Sequence, residues 1–252
     1  MAKRRKRLAS NGVIISRLQS PFTGKAIVTI MTGLTTPSSN SKTGVMLQVW
    51  HLVEDESPVK AVQSGADESI CFDCVLRPLL AKLAEKKLGQ KQVKCYVNKG
   101  HAPERIWQAY HNGSYPDYED LEDWEQEIVD RKVETSSVRL GAYGEPSADV
   151  EVSLRLAKSS KGFTAYTHQW RLPEFQILKD FCMASLDSAE DYQLAKSLGW
   201  RTYRVGKESE LQVGEIACPH STKGVQCVDC GLCAGTNFGR MSTVKDIVVD
   251  AV

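Results

Sequence analysis

The 252-residue sequence has no apolar run approaching the ~20 residues of a membrane span, so no helix of that kind is expected. The basic start, "MAKRRKR", is not followed by an apolar core, so it does not read as a secretory signal. Charge of one sign is not in excess either. Thirty-two Lys and Arg stand against 31 Asp and Glu, a net charge of +1, so bulk charge does not mark a nucleic-acid binder. Local charge is uneven. "KRRKR" is either a solvated terminus or a phosphate-binding arm, and "YPDYEDLEDWEQEIVD" (115–130) is acidic.

The sequence does contain eight cysteines. With no secretory signal in view, they suggest a reducing compartment, the cytoplasm of a host cell. Clustered cysteines there bind metal more often than they pair. With 42% hydrophobic residues, a chain of this length can bury a core without disulfides.

Three stretches differ in rhythm. Residues 1–60 are β-rich: "KAIVTIMTGL" and "GVMLQVWHLV" flank the turn formers "TTPSSNSKTG", which predicts neighbouring strands. Residues 61–136 carry a cysteine loop, a helix after Pro78, a short strand "KQVKCYVN" (91–98), and two further helices. Residues 137–252 alternate strands and helices and end in a cysteine-rich loop. Within this last stretch, strands are predicted at 137–144, 162–170, 181–187, 200–206 and 213–219. Such alternation implies parallel strands, in a partial β/α barrel or an open α/β sheet.

Polar residues gather at the ends of these strands: Glu145, His168, Asp187 and Arg204, with Cys218 and His220 after the last. The carboxyl edge of a parallel sheet is where sites are built. These residues are therefore candidates for one shared pocket, as acid–base or anion-binding groups. His168 is expected there as an exposed side chain that contributes little to the core. The bland alternative is that strand ends merely tolerate polar groups.

The cysteines form two groups. Cys218, Cys227, Cys230 and Cys233 follow C-x8-C-x2-C-x2-C. Three cysteines at successive i+3 steps suit an iron–sulfur cluster, and zinc is the alternative. Cys71, Cys74 and Cys95 form the second group and leave room for a fourth ligand: Cys182, His101, His168 or a substrate. Cys182 lies in an apolar strand and is expected to be a buried free thiol.

Taken together, "SPFTGKAIVTIMTGL", "PSSNSKTGVMLQVWHL", "CFDC…CYVN", "VRLGAYGEP", "GFTAYTHQW" and the closing cysteines resemble a family of small cysteine-rich proteins encoded by bacteriophages and plasmids. More distantly, the strands are similar to the partial barrel of radical S-adenosylmethionine enzymes. The resemblance implies a [4Fe–4S] protein, and as an enzyme a radical-SAM-like one acting on an unknown small molecule. The C-x3-C-x2-C triad of those enzymes is absent, so the likeness implies iron–sulfur ligands more than radical chemistry. The competing expectation is a zinc-stabilised module that binds nucleic acid or a host protein, with no membrane involved.

Overall fold

The computed structural model describes residues 7–91, 94–188, 190–237 and 245–250. The basic N-terminal run lies almost wholly outside them. β1 (Gly12–Gln19), β2 (Ala26–Thr32) and β3 (Leu47–Val53) form an antiparallel meander. β-Branched and aromatic residues suit such strands because they fit a pleated surface. Every residue of β3 is buried, including the polar Gln48 and His51 among its apolar neighbours.

Six further strands follow: β4 (Ser137–Tyr143), β5 (Gly162–Thr167), β6 (Met183–Leu186), β7 (Thr202–Val205), β8 (Glu215–Ala217) and β9 (Asp246–Val249). All nine make one sheet in the order β1-β2-β3-β4-β5-β6-β7-β9-β8. Pairing is parallel from β3 to the far edge. The sheet is open, one of the two expected architectures.

Helices α1 (Pro58–Ser64), α2 (Glu68–Cys71), α3 (Pro78–Leu88), α4 (Ala102–His111) and α5 (Asp123–Thr135) fill the connection between β3 and β4. Helices α6 (Val150–Ser159) and α7 (Glu190–Ser197) are crossovers between parallel strands, and α8 (Pro219–Lys223) and α9 (Cys227–Cys230) are single turns in the last loop. Ser188 Oγ accepts from Asp191 N–H at the start of α7, as an N-cap side chain does. No described helix is long and apolar enough to cross a membrane.

Two expectations need correction. Residues 94–98 are not a strand, and residues 92–93 of that segment lie outside the described residues. The order of the predicted strands suggested that those at 200–206 and 213–219 pair as neighbours, and they do not. β9 lies between them, pairing with β7 through Ile247 and with β8 through the same residue.

Strand alternation separates two faces. Val138, Leu140, Phe163, Ala165, Ala184 and Leu186 pack in one core with Val152 and Leu156 of α6. Thr164, Tyr166, Tyr203 and Ile247 point to the opposite face, where they line a cavity with the C-terminal cysteines. His168 continues the phase of Thr164 and Tyr166 beyond the end of β5.

Candidate metal centres

The first cysteine group lies at the carboxyl edge. Cys71 closes α2, and Cys74 N–H donates to its carbonyl at 3.1 Å. Cys95 N–H donates to Leu76 O at 2.8 Å, which returns the chain to the C-x-x-C turn. The turn is held from three sides. Buried Arg77 donates to Phe72 O and Gly65 O and pairs with Asp67 at 3.1 Å. Glu145 N–H donates to Ile70 O, and Gln169 Nε2 donates to Cys71 O. The ends of β4 and β5 thus grip the turn directly.

Phe72, inside the turn, has φ +44°, the one positive value at a non-glycine residue among those described. Such a conformation costs on the order of 1–3 kcal/mol and persists only where its surroundings over-determine it. Here those surroundings are the Arg77 clamp and a stacked Phe22 ring, 4.5 Å away.

Three of the four predicted edge residues meet. His168 Nδ1 lies 2.8 Å from Glu145 Oε1, and its backbone N–H also donates to that carboxylate. Nε2 lies 3.5 Å from Asp187 Oδ1 and makes no hydrogen bond. Cys74, Glu145 and His168 each place a ligand atom within 4.8 Å of the other two. Burial works against the charged imidazole, but Asp187, Cys74 and Glu145 outweigh it and raise its pKa well above the ordinary value. The His168 side chain is only 15% exposed, which corrects the expectation of an open pocket residue.

Arg204 does not belong to this site. It stands on the other face of β7 and forms a buried pair with Glu215, both contacts being 2.7 Å. The period of "TYRV" is the reason: Tyr203 and Val205 take the cysteine face and turn Arg204 away. Of the candidates for a fourth ligand, His168 lies beside the group, whereas Cys182 and His101 stand apart from it. Cys182 is fully buried in the helix-side core, and His101 is exposed at the start of α4.

The chemistry of the edge group fits a metal. Burial pushes the Cys71 thiol well up, and the Cys74 and Cys95 thiols push it further. Burial likewise raises the thiol of Cys74. A buried thiol whose ionisation is hindered by neighbouring thiols, as at Cys71, is relieved by a bound cation. Beside them Tyr143 Oη, His168 Nε2 and Gln169 Oε1 are buried without hydrogen-bond partners. Buried polar atoms normally have one, so these three are available to a bound group or to water.

The second cysteine group lies on the sheet face, not at that edge. Cys218 follows β8, Cys227 and Cys230 bound α9, and Cys233 O accepts from Ala165 N–H in the middle of β5. Gly231 turns the chain with φ +64°, a conformation glycine adopts without a Cβ penalty. All four cysteines line one cavity with His220, whose Nδ1 is also unpartnered. Burial drives the Cys233 thiol up to about 12, and the other three cysteines add to the shift. The same relief by a cation applies. Glu145, His168 and Asp187 take no part in this cavity, so Cys218 is not beside them as expected.

Sequence reasoning overlooked Lys42 at the C-terminal cavity and the Arg77 clamp at the edge group. Neither has a local motif; both are brought in by tertiary contact. Compared with protein-family models, curated proteins and solved structures, the chain matches none.

Proposed function

We propose that this chain is an iron–sulfur protein with two cysteine-ligated centres, and that the edge centre is the reactive one. Cys71, Cys74 and Cys95 would hold a [4Fe–4S] cluster there, and Cys218, Cys227, Cys230 and Cys233 a second. A cluster with three protein thiolates supplies one-electron chemistry and leaves a position open to a further ligand.

The supporting observation is the set of unpartnered buried atoms beside the three edge thiols: Tyr143 Oη, His168 Nε2 and Gln169 Oε1. Their roles follow from their chemistry. Tyr143 can donate, Gln169 can accept, and His168 holds a proton that Glu145 and Asp187 stabilise. Gln169 is fixed by its bond to Cys71 O, and Glu145 by its bond to Ile70 O, so both move with the turn. The reaction class we favour is radical-SAM-like, on a small-molecule substrate, in a phage- or plasmid-encoded protein of the host cytoplasm. The resemblance in sequence supports iron–sulfur ligation more than radical chemistry, because the C-x3-C-x2-C triad is absent.

A second reading has one observation in its favour. Cys74, Glu145 and His168 are spaced for a single ion, as in a zinc-stabilised module that binds nucleic acid or a host protein. Anaerobic purification separates the two. Broad absorbance near about 400 nm, lost in part on Cys74→Ala, supports the clusters. Colourless protein holding zinc supports the module.

A further inference from the structure

The C-terminal cavity is closed by a turn from the other half of the chain. "NSKTG" (40–44) lies over α9: Cys227 N–H donates to Lys42 O at 2.9 Å and Val228 N–H to Thr43 O at 3.2 Å. Gln226 Nε2 donates to Ser41 O at 3.0 Å. The turn itself is fixed by Asn40 Oδ1, which accepts from the backbone N–H groups of Lys42 and Thr43 at 3.0 Å each. Gly44 makes the approach feasible. Its φ is +70°, and a Cβ there would come within 2.7 Å of Gln226 Oε1.

This docking places the Lys42 side chain in the wall of the cavity with the four cysteines, its Nζ 3.4 Å from Tyr203 Oη. Arg139 approaches from β4. It is in register with Thr164, another residue of that wall, and so projects from the same sheet face. The acidic residue of α9, Asp229, is exposed. Lys42 thus lines the cavity with the thiols, and Arg139 projects from the same sheet face, both from outside the cysteine loop.

We propose that Lys42 and Arg139 are charge-compensating residues of the C-terminal centre, which retain its metal and set how readily it accepts an electron. This rests on the reading that Cys218, Cys227, Cys230 and Cys233 hold a metal. Four thiolates around a core of charge +2 leave about −2 overall, whether the core is zinc or an oxidised [4Fe–4S] cluster. Two cations balance that charge. In a partly buried site they are screened less than in water, so they favour the more negative state of the centre. Reduction adds a negative charge, and so the cations raise the reduction potential.

The test compares the full chain with K42M, R139M and the double variant, all anaerobically reconstituted with iron and sulfide. K42R is the charge-preserving rescue and K158M an exposed-surface control. The readouts are the reduction potential of the centre that disappears in C227A/C230A, and the rate of metal loss to a chelator. Each single variant should lower the potential and hasten metal loss, and the double variant should do both more strongly. K42R and K158M should match the parent. Should the protein hold zinc instead, zinc loss is the readout, with the same order expected. A double variant that binds metal and matches the parent in these readouts overturns the proposal. If C227A/C230A holds as much metal as the parent, the C-terminal centre itself is refuted, and this proposal with it.

Discussion

His51 and His168 project from opposite faces of the sheet, and their surroundings drive them in opposite directions. His51 is fully buried behind β3. Thr29 Oγ1 gives its hydrogen to Asp149, so His51 Nδ1 must donate to Thr29 and the neutral ring leaves Nε2 bare. Burial lowers its pKa from 6.5 to about 4, although the Asp149 and Glu145 charges oppose the shift. The unfolded chain therefore binds a proton that the folded chain refuses. Stability from this group is complete above pH 6.5 and falls as the pH drops toward about 4. Urea midpoints measured between those values should decline, and His51→Gln should flatten the decline. An unchanged slope would contradict the assignment. On the other side, Glu145 is bonded to both the ring and the backbone N–H of His168. Glu145→Ala leaves a buried imidazole with half its support, so metal-free protein should lose about 3 kcal/mol in denaturant unfolding. A loss below ~0.5 kcal/mol would show that the pair is not structural.

At the scale of elements, the C-x-x-C turn stores strain at Phe72 that the Phe22 stack and Arg77 contain. Phe72→Ala removes the ring and keeps the strain, whereas Phe72→Gly removes both. The glycine variant should be more stable than the alanine variant by about 1 kcal/mol, because glycine tolerates positive φ. Equal midpoints would place the strain elsewhere. In β7, Arg204 is a structural residue. Arg204→Ala strands the fully buried Glu215 carboxylate and should cost about 3 kcal/mol while the iron content stays unchanged. Loss of iron in that variant would return Arg204 to the centre.

Across the whole molecule, the legible features were those with a period or a fixed spacing. The β/α rhythm after residue 137 predicted parallel strands because each crossover needs a helix, and α6 and α7 supply two of them. Glu145, His168 and Asp187 could be anticipated together because parallel strands end on one edge. Arg204 was misplaced although its alternation with Tyr203 and Val205 was there to read, since its partner Glu215 lies in a different strand. β9 was not anticipated, and its insertion between β7 and β8 is a long-range pairing that no local spacing encodes. The separation of the two cysteine groups, one at the edge and one on the face, follows from where Cys233 O meets Ala165 N–H, a long-range contact that no spacing encodes.

The proposed iron–sulfur centres, one at the sheet's edge and one on its face, account for seven of the eight cysteines. Iron and acid-labile sulfide, measured per chain in anaerobically prepared protein, test their presence most directly. Two [4Fe–4S] clusters predict about eight of each. Zinc without sulfide, or a chain that takes up neither metal, would contradict it.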